Sequence, residues 1–365
     1  MRFSKHHYAL ELASLGNKVY YINPPEISCK GVEIKGAEET ENLKIVTYKP
    51  VYRGKRFLPA FVFKQLLKEQ VKILLKETGV TPDVVWCFDP YRFGNLNWFK
   101  AKVKIFFLAD LLALDYLPGE AETADFSLAL SESRINQLKR GHRPVFFINH
   151  GLSNYYAVRA KSRLAELMRS SEIIPEKITA GYIGNLLMEA PDRATMKTII
   201  ERHPEINFIF WGQYERQGQL VAFNNDSVFE FIDFLKKQPN VVLKGPVHPE
   251  VLSREITGVD LLWVCWKLNV SKMWDGSNPH KILEYLSTGK PLVTHHMDVY
   301  KDSDLVDMMP GDDNTGFPDL FDRVVERVSK GEKTELQRKR IEFALKNTYL
   351  EQIHRVENII NKKAN

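Results

Sequence analysis

The sequence predicts an α/β protein built from two doubly wound, Rossmann-like domains. Apolar runs of strand length alternate with longer amphipathic segments along the chain, which is the pattern of parallel βαβ units. Several of these runs are apolar at every position, as expected when helices cover both faces of a parallel sheet. The length of 365 residues exceeds what one hydrophobic core usually organises, so two domains are expected.

The predicted strands fall into two series, separated by a polar region at 149–177. The first series lies at residues 19–22, 84–87, 103–107, 128–130 and 145–148. The second series lies at residues 180–183, 207–211, 241–244, 261–265 and 291–294. Open sheets of this kind bind ligands beyond the carboxyl ends of their strands, so the pattern already indicates an enzyme with a cleft.

The opening of the chain departs from this pattern. Residues 5–15 have the pattern of a helix, and Gly16 separates them from the strand at 19–22. A doubly wound domain normally begins with a strand. The first strand of the N-terminal domain and its glycine-rich turn are therefore expected to be missing.

The domain boundaries follow from the polar region between the two series. We expect an N-terminal domain at 1–160 and a C-terminal domain at 161–335. The segment 336–365 has apolar residues at spacings of three to five, which predicts a helix, or two helices with a break near Thr348.

Composition narrows the function classes. The net charge of +5, from 51 basic and 46 acidic residues, is too mild for a dedicated nucleic-acid binder and suits an anionic small ligand or membrane surface. The three cysteines are far apart, which argues against a disulfide framework and fits a reducing cytosol. No apolar run is long enough for a spanning helix, so we expect a cytoplasmic protein.

The most informative stretch begins at Asn278 and Pro279, where a loop leads into a helix predicted over 280–287. The start of a helix directs unpaired N–H groups and a partial positive charge outward, which suits a phosphate. Lys281 adds a full positive charge, and Glu284, one turn later, could accept hydrogen bonds from ribose hydroxyls. The alternative is an ordinary helix start whose Lys281–Glu284 pair contributes little.

A resemblance to a known family carries this interpretation further. Residues 278–293 read Asn-Pro-His-Lys-Ile-Leu-Glu-Tyr-Leu-Ser-Thr-Gly-Lys-Pro-Leu-Val. This run resembles the donor-binding signature of glycosyltransferase family 4, in which Pro-x-Lys-x-x-Glu-Tyr-Leu-Ala-x-Gly-Lys-Pro-Val-Val is typical. The other segments that resemble the family, in the expected order along nearly the whole chain, are 2–25, 130–131, 148–151, 182–186, 203–212, 240–245 and 259–266.

The resemblance implies a GT-B architecture, in which the two Rossmann-like domains face a central cleft and the C-terminal helix packs back on the N-terminal domain. It implies transfer of a sugar from a nucleotide diphosphate sugar, a UDP or GDP sugar, to a glycan or lipid-linked acceptor, with retention of the anomeric configuration. Such an enzyme serves polysaccharide biosynthesis. It needs no cofactor or metal, because the leaving diphosphate itself helps to deprotonate the acceptor.

The resemblance also assigns the site. Asp110 and Lys281 are the expected catalytic residues, although Asp110 is equally well explained as a helix N-cap after a strand. The expected donor-binding residues are Gly184, Asn185, Gly212, Lys244, Ser277, Asn278, Pro279, His280, Lys281 and Glu284.

Three positions depart from the family pattern. Retaining members often carry Glu-x7-Glu, and Gly276 stands where the first glutamate is expected. Many members grip the diphosphate with an arginine and a lysine after the first strand of the C-terminal domain, where this chain has Asn185 and Ala190. Two alternatives therefore stay open: a catalytically weak or silent nucleotide-sugar-binding or scaffold protein, and a nucleotide-sugar epimerase on a similar fold.

A row of lysines suggests where a membrane could be met. Lys64, Lys68, Lys72 and Lys76 recur every four residues opposite an apolar face. A basic amphipathic surface can dock on anionic lipid at the inner face of a membrane, which suits a lipid-linked acceptor. The alternative is an ordinary solvated helix face.

Overall fold

The structure is a computed structural model that describes residues 4–52, 58–109, 117–167, 169, 174–215, 226–267 and 278–364. The chain divides into two compact units: unit 1 is Met1–His150 with Tyr349–Asn365, and unit 2 is Gly151–Thr348. The division lies earlier than the boundary predicted at 160. The physical reason is helix α5 (Asn154–Leu167), whose Tyr156 and Ala157 are buried in a core of unit 2.

Within its described residues, unit 1 has two sheets. The first sheet has the order β1–β3–β2, with β1 parallel and β2 antiparallel to β3. The second sheet is parallel and has the order β4–β5–β6–β7. The elements are α1 (Ser4–Ser14), β1 (Val19–Ile22), β2 (Val32–Ala37), β3 (Thr40–Tyr48), α2 (Ala60–Thr78), β4 (Val84–Cys87), β5 (Val103–Leu108), α3 (Gly119–Thr123), β6 (Phe126–Ala129), α4 (Glu132–Leu138) and β7 (Val145–Phe147).

Strand β5 shows why unit 1 needs helices on both faces of its parallel sheet. Ile105 points into one buried cluster with Tyr8 of α1 and Ile353 of helix α12 (Tyr349–Ala364). Its neighbour Phe106 points into another cluster, with Val71 of α2. The all-apolar pattern of this strand is therefore explained by burial on both sides. In the described part of unit 1, α1 precedes the first strand, as the sequence predicts.

Within its described residues, unit 2 has one parallel sheet of six strands in the order β10–β9–β8–β11–β12–β13. The elements that follow α5 are β8 (Thr179–Ile183), α6 (Arg193–Arg202), β9 (Asn207–Trp211), α7 (Asp226–Lys237), β10 (Val241–Gly245), α8 (Pro249–Glu255), β11 (Leu261–Val264), α9 (Lys281–Leu286), β12 (Leu292–Thr294), β13 (Asp307–Met308), α10 (Phe317–Ser329) and α11 (Thr334–Leu345).

The strands predicted in both series are present, with ends shifted by a residue or two. The helical tail predicted over 336–365 is two helices. Helix α11 belongs to unit 2, and only α12 belongs to unit 1. The interruption between them includes Thr348, where the apolar spacing indicated a break. No helix of the described residues is long and apolar enough to cross a membrane.

A buried arginine ties α11 to the two segments that flank β12. Arg340 is 1% exposed and donates to the backbone oxygens of Leu305, at 2.9 Å, and Gly289, at 3.2 Å. Its guanidinium lies 3.3 Å from the buried carboxylate of Glu332, which Arg327 also contacts at 3.0 Å. A buried carboxylate that loses one of its cations is strongly destabilising, so this network is sensitive to single changes.

We predict that Arg340→Met lowers the free energy of unfolding by about 3 kcal/mol, because Glu332 then stays buried with a weaker partner. The matched control is Arg338→Met on the same helix, whose guanidinium is half exposed and 3.8 Å from Glu342. The control should change stability by less than about 1 kcal/mol. Urea unfolding followed by circular dichroism measures both, and equal effects would contradict the structural role of the network.

Candidate functional site

The strand order of unit 2 marks one place on its sheet. Strand β8 pairs with β9 on one side and with β11 on the other. The chain therefore runs outward from β8 through β9 to β10, and then returns to build β11, β12 and β13 on the opposite side. Neighbouring strands whose connections leave in opposite directions open a crevice at their carboxyl ends, where doubly wound sheets bind ligands.

The loops at these carboxyl ends are packed backbone against backbone. The Gly184 amide donates to the Trp211 oxygen at 2.8 Å, and the Gly212 amide donates to the Gly245 oxygen at 2.8 Å. Gly212 has φ +132, and a Cβ atom there would lie 2.1 Å from the Gly184 oxygen. Only glycine fits this crossing. The predicted residues Gly184 and Gly212 thus share one surface of the site.

Lys281 begins α9 and lies directly beneath this loop. Its ammonium donates to the Ile183 oxygen at 2.6 Å and sits 4.4 Å from the centroid of the Trp266 ring. The side chain is only 7% exposed. Burial lowers the pKa of Lys281 to about 8, and the nearby carboxylate of Glu284 opposes that shift. This is a cation with few water molecules around it, held at the carboxyl end of β8.

Tyr285, also on α9, fixes the other polar group of the same backbone residue. The Ile183 amide donates to the Tyr285 hydroxyl at 2.6 Å, and the Tyr285 side chain is fully buried. Next to it, the Trp266 indole donates to the Tyr182 hydroxyl at 3.1 Å. These bonds set the depth and rotation of α9 against the end of β8. The helix itself begins at Lys281, one residue later than predicted.

Glu284 lies one turn along α9 and is partly exposed. Burial raises its pKa to about 7, while the charge of Lys281 and a hydrogen bond from the Tyr156 hydroxyl both act to lower it. The carboxyl group therefore changes its protonation state near neutral pH. An ionised carboxylate in this place can accept two hydrogen bonds from a diol.

The other predicted donor-binding residues have different surroundings. Asn278 is buried and is followed by Pro279 and His280 at the entrance to α9. The Asn185 side chain accepts a hydrogen bond from the Leu187 amide at 2.9 Å, which shapes its own turn. Lys244 is exposed on β10, the edge strand two positions from β8. Asp110, Ser277 and the departure at Gly276 lie outside the described residues.

Three residues near these groups were not singled out from the sequence. Tyr156 lies on α5, far in sequence from the segment 278–293, and no motif around it indicates a functional site. Trp266 lies two residues after the end of β11, a position that could have marked it as facing a site. Arg193 lies shortly after the loop of β8, and its guanidinium donates to the backbone oxygens of Leu186, at 3.2 Å, and Met188. It is an additional positive charge close to this loop.

Among residues whose placement the structure gives, no group of three or more His, Cys, Asp or Glu side chains is arranged to hold a metal ion.

Several solved structures share this architecture. Sucrose-phosphate synthase from Thermosynechococcus elongatus matches with a TM-score of 0.65 at 10% identity, over 98% of this chain and 92% of that one. A glycosyltransferase from Rickettsia africae matches with a TM-score of 0.63 at 13% identity, over 99% and 93%. HepE from Anabaena, in complex with UDP-glucose, matches with a TM-score of 0.60 at 12% identity, over 87% and 86%. The chain has the GT-B fold.

The GT-B assignment rests on structure alone. No protein-family model and no curated protein sequence matches the chain. The more specific resemblance to glycosyltransferase family 4 therefore stays a prediction from the motif at 278–293. At these low identities, the solved structures establish the fold of the chain, and its activity has to be argued from its own residues.

We predict that Gly212→Ala lowers the free energy of unfolding by at least about 2 kcal/mol, because it combines backbone strain with a clash against Gly184. The matched control is Gly258→Ala, where a Cβ atom would meet nothing within 4 Å. The control should be neutral or stabilise by up to about 1 kcal/mol, since alanine restricts the unfolded chain. Thermal and urea unfolding test this, and a Gly212→Ala protein as stable as the control would refute the close crossing of the loops.

Proposed function

We propose that the chain is a glycosyltransferase that takes the sugar of a nucleoside diphosphate sugar, a UDP or GDP sugar, and transfers it to a glycan or lipid-linked acceptor with retention of configuration. The observation that carries the proposal is the contact of Lys281, one turn before Glu284 on α9, with the end of β8, where the strand order of unit 2 reverses. Further support comes from HepE, a protein of the same fold that was crystallised with UDP-glucose.

In this proposal Glu284 accepts hydrogen bonds from the donor ribose. The carboxylate of Glu284 is partly exposed, although its neighbours on α9 are buried. Its two oxygens can accept hydrogen bonds from the two ribose hydroxyls. Charge-assisted hydrogen bonds of this kind are stronger than neutral ones, and they strengthen further where water is scarce. Gly184 and Gly212 contribute by allowing the loops at this end of the sheet to pack closely against each other and against Tyr182 and Lys281.

Lys281 supplies the positive charge for the diphosphate in this proposal. The bond from the sugar C1 to the diphosphate oxygen breaks, the acceptor oxygen bonds to C1 on the same face, and the acceptor proton passes to the departing phosphate. The main demand on the protein is stabilisation of the charge that develops on the leaving group. Asn278, Pro279 and His280 stand at the start of α9, next to Lys281, and Ser277 precedes them in the sequence.

Two further residues complete the proposed site. Lys244, near the carboxyl end of the edge strand β10, adds positive charge in this proposal. Asp110 follows β5 in unit 1 and is proposed as the polar residue that faces the donor or acceptor during transfer. Both remain proposals from the family resemblance.

A second candidate function is a nucleotide-sugar-binding protein with weak or no catalysis. The Asn185 side chain accepts a hydrogen bond from the Leu187 amide, and Ala190 is buried. Neither residue supplies the positive charge that many members of the resembled family have at these positions. Measuring donor hydrolysis and sugar transfer, together with nucleotide binding, separates the two. Binding without turnover favours the binding protein, and transfer favours the enzyme.

We predict that Lys281→Met weakens binding of the preferred nucleoside diphosphate by about tenfold or more, since a cation in a water-poor place contributes strongly to phosphate binding. Binding of the corresponding nucleoside should change by less than about twofold. Lys281→Arg should restore binding only in part, because the planar guanidinium cannot occupy the same point. Isothermal titration calorimetry with UDP, GDP and their nucleosides makes the comparison.

Lys244→Met is the comparison for this experiment, because it removes the exposed one of the two lysines proposed for the donor site, whereas Lys281 is buried. It should affect diphosphate binding much less than Lys281→Met. An equal loss of nucleoside and nucleoside diphosphate affinity in Lys281→Met would mean that the phosphates are bound elsewhere.

We also propose that unit 1 meets an anionic membrane through α2. Lys64, Lys68, Lys72 and Lys76 are exposed on α2. Leu67, Val71 and Leu74 on the other face of the helix are buried, so the helix cannot insert its apolar face and must act through charge. Phe61, at the start of the helix, is 73% exposed and adds an apolar contact at the same end.

We predict that Lys64→Glu/Lys72→Glu reduces sedimentation with phosphatidylserine-containing vesicles by about tenfold or more, because each lysine near an anionic surface contributes about 1 kcal/mol. Nucleotide binding should be unchanged. The matched control is Lys236→Glu/Lys237→Glu, an equal charge change on the exposed end of α7 in unit 2. Equal sedimentation of both variants, or none by the wild type, would reject the docking role.

A further inference from the structure

Two edge strands of unit 1 have the composition of interior strands. Strand β1 lies at one edge of the first sheet, and β4 lies at one edge of the second sheet. Neither strand has a charged residue, yet no side chain of β1 is buried, and Val84 of β4 is 44% exposed. By contrast β2, at the other edge of the first sheet, carries Glu33 and Lys35, charges of the kind that keep an edge from pairing. The edges of β1 and β4 are therefore open to a further strand.

The two sheets of unit 1 are parts of one layer, because the same helices cover both. On one face, Val71 of α2 lies in a single buried cluster with Val46 of β3 and Cys87 of β4. On the other face, α1 places Ala13 in a cluster with residues of β1 and β3, and Tyr8 in a cluster with residues of β4 and β5. A doubly wound domain has this arrangement, with one sheet between two layers of helices.

Two sets of contacts show that β1 and β4 are the adjoining edges of this layer. The Arg92 guanidinium, in the segment after β4, donates to the oxygen of Ile22, the last residue of β1, at 2.9 Å. Tyr21 of β1 and Trp86 of β4, each the third residue of its strand, both contact the first two turns of α1. Yet no backbone ladder joins the two strands in the part of the chain that the structure describes. The layer therefore has a gap between β1 and β4.

Helix α1 indicates what fits in this gap. The start of α1 lies near Tyr21, toward the carboxyl end of β1, whereas Ala13, near the end of α1, lies in a cluster with Val19, the first residue of β1. The helix therefore runs antiparallel to β1, as the helix of a βαβ unit does. In such a unit, the strand before the helix is parallel to the strand after it and lies in the same sheet. One side of β1 is taken by β3, so the side that is open for this strand faces β4.

We propose that the gap between β1 and β4 binds one further parallel strand, which is apolar on both faces, immediately precedes α1 in the polypeptide and joins the two sheets into one. Its side chains would point alternately toward the cluster of Tyr8 and toward the cluster of Val71, and both clusters are apolar. Its carboxyl end would lie beside Ile22 and the segment that holds Arg92, at the edge of the sheet where doubly wound domains bind ligands. This site is independent of the donor site proposed in unit 2.

The backbone of β1 has groups available for such a strand. In a parallel strand, alternate residues direct their amide and carbonyl groups to opposite sides. The Asn23 amide donates to the Val46 oxygen of β3 at 2.9 Å, so Asn23 and Tyr21 turn their backbone groups toward β3. Tyr20 and Ile22 therefore direct theirs toward the gap, where the Ile22 oxygen accepts from the side chain that follows β4.

The backbone of β4 is arranged in the same way. The Val103 amide donates to the Asp83 oxygen at 2.9 Å, so Asp83 and Val85 turn their backbone groups toward β5. Val84 and Trp86 therefore direct theirs toward the gap. A strand between β1 and β4 would thus find pairing groups on both of its sides.

Amide hydrogen exchange of the chain as it stands is the first test. The amides of Tyr20 and Trp86, which face the gap, should exchange about tenfold or more faster than the amides of Tyr21 and Val85, which face β3 and β5 in the same strands. Mass spectrometry with fragmentation to single residues measures all four. Equal protection of the two pairs would mean that the edges are already paired, and the proposal would be wrong.

The second test supplies the strand. About six alternating Val and Ile residues, a typical strand length, are added before Met1 and followed by a Gly-Ser turn. The addition should slow exchange at Tyr20 and Trp86 by about tenfold or more and raise the melting temperature by about 5 °C or more. The matched control is an addition of the same length in which Ser replaces every Val and Ile. It should change neither quantity.

If the apolar addition changes neither the exchange nor the melting temperature, or if the Ser addition has the same effect, the gap does not bind an apolar strand and the proposal is refuted. Light scattering of the chain as it stands detects self-association. A second copy that slows exchange at Tyr20 and Trp86 would occupy the edges in place of a strand joined to α1, which also overturns the proposal. The expected result is a monomer whose gap-facing amides exchange rapidly until the strand is added.

Discussion

The site depends on how one backbone residue at the end of β8 is held. The amide of Ile183 donates to the Tyr285 hydroxyl, and the oxygen of Ile183 accepts from the Lys281 ammonium. Both side chains come from α9, and the Tyr285 hydroxyl also donates to the Ile183 oxygen at 3.4 Å, so three hydrogen bonds attach the helix to the strand at a single residue. Buried backbone groups at the end of a strand must find partners, and here the signature helix supplies them. The positions of Lys281 and Glu284 follow from this attachment.

The same attachment gives Lys281 a double role. Its ammonium satisfies a carbonyl and rests on the face of Trp266, which stabilises a cation that burial otherwise penalises. A charge kept in such a place interacts strongly with a ligand, because little water screens it. The positive charge at the end of β8 thus comes mainly from Lys281, which the Ile183 oxygen and the Trp266 ring hold in place. Arg193 lies nearby and donates to backbone oxygens of the loop that follows β8.

Local sequence was sufficient for much of the fold. The apolar strands of the parallel sheets and the helix of the signature were predicted close to their observed bounds, because burial on both faces leaves a continuous apolar run. The hairpin of β2 and β3 was not predicted. Apart from Ile34, its exposed side chains are polar, so its pattern resembles a loop, and pairing with β1 stabilises it from outside the segment.

The site was only partly predictable for a related reason. Glycine spacing and the signature indicated Gly184, Gly212, Lys281 and Glu284, because these lie in short segments with their own pattern. Tyr156, which packs beside α9, could not be found in this way, since it belongs to a helix that lies in the polar region between the two predicted series of strands. Its contact exists only after α5 has packed into unit 2. Long-range contacts of this kind have no local signature in a single sequence.

The path of the chain has a consequence for biosynthesis. Unit 1 is discontinuous: α12 follows the whole of unit 2, yet its Tyr349, Ile353 and Val356 fill the cluster around β5 and β6. During synthesis, the segment up to His150 emerges before unit 2, and part of its apolar surface stays uncovered until α12 has been made. Unit 2 is continuous and can complete its own core earlier. Unit 1 is therefore expected to complete its fold after unit 2, although most of unit 1 is synthesised earlier. Chaperones would be needed most while the nascent segment up to His150 is still without α12.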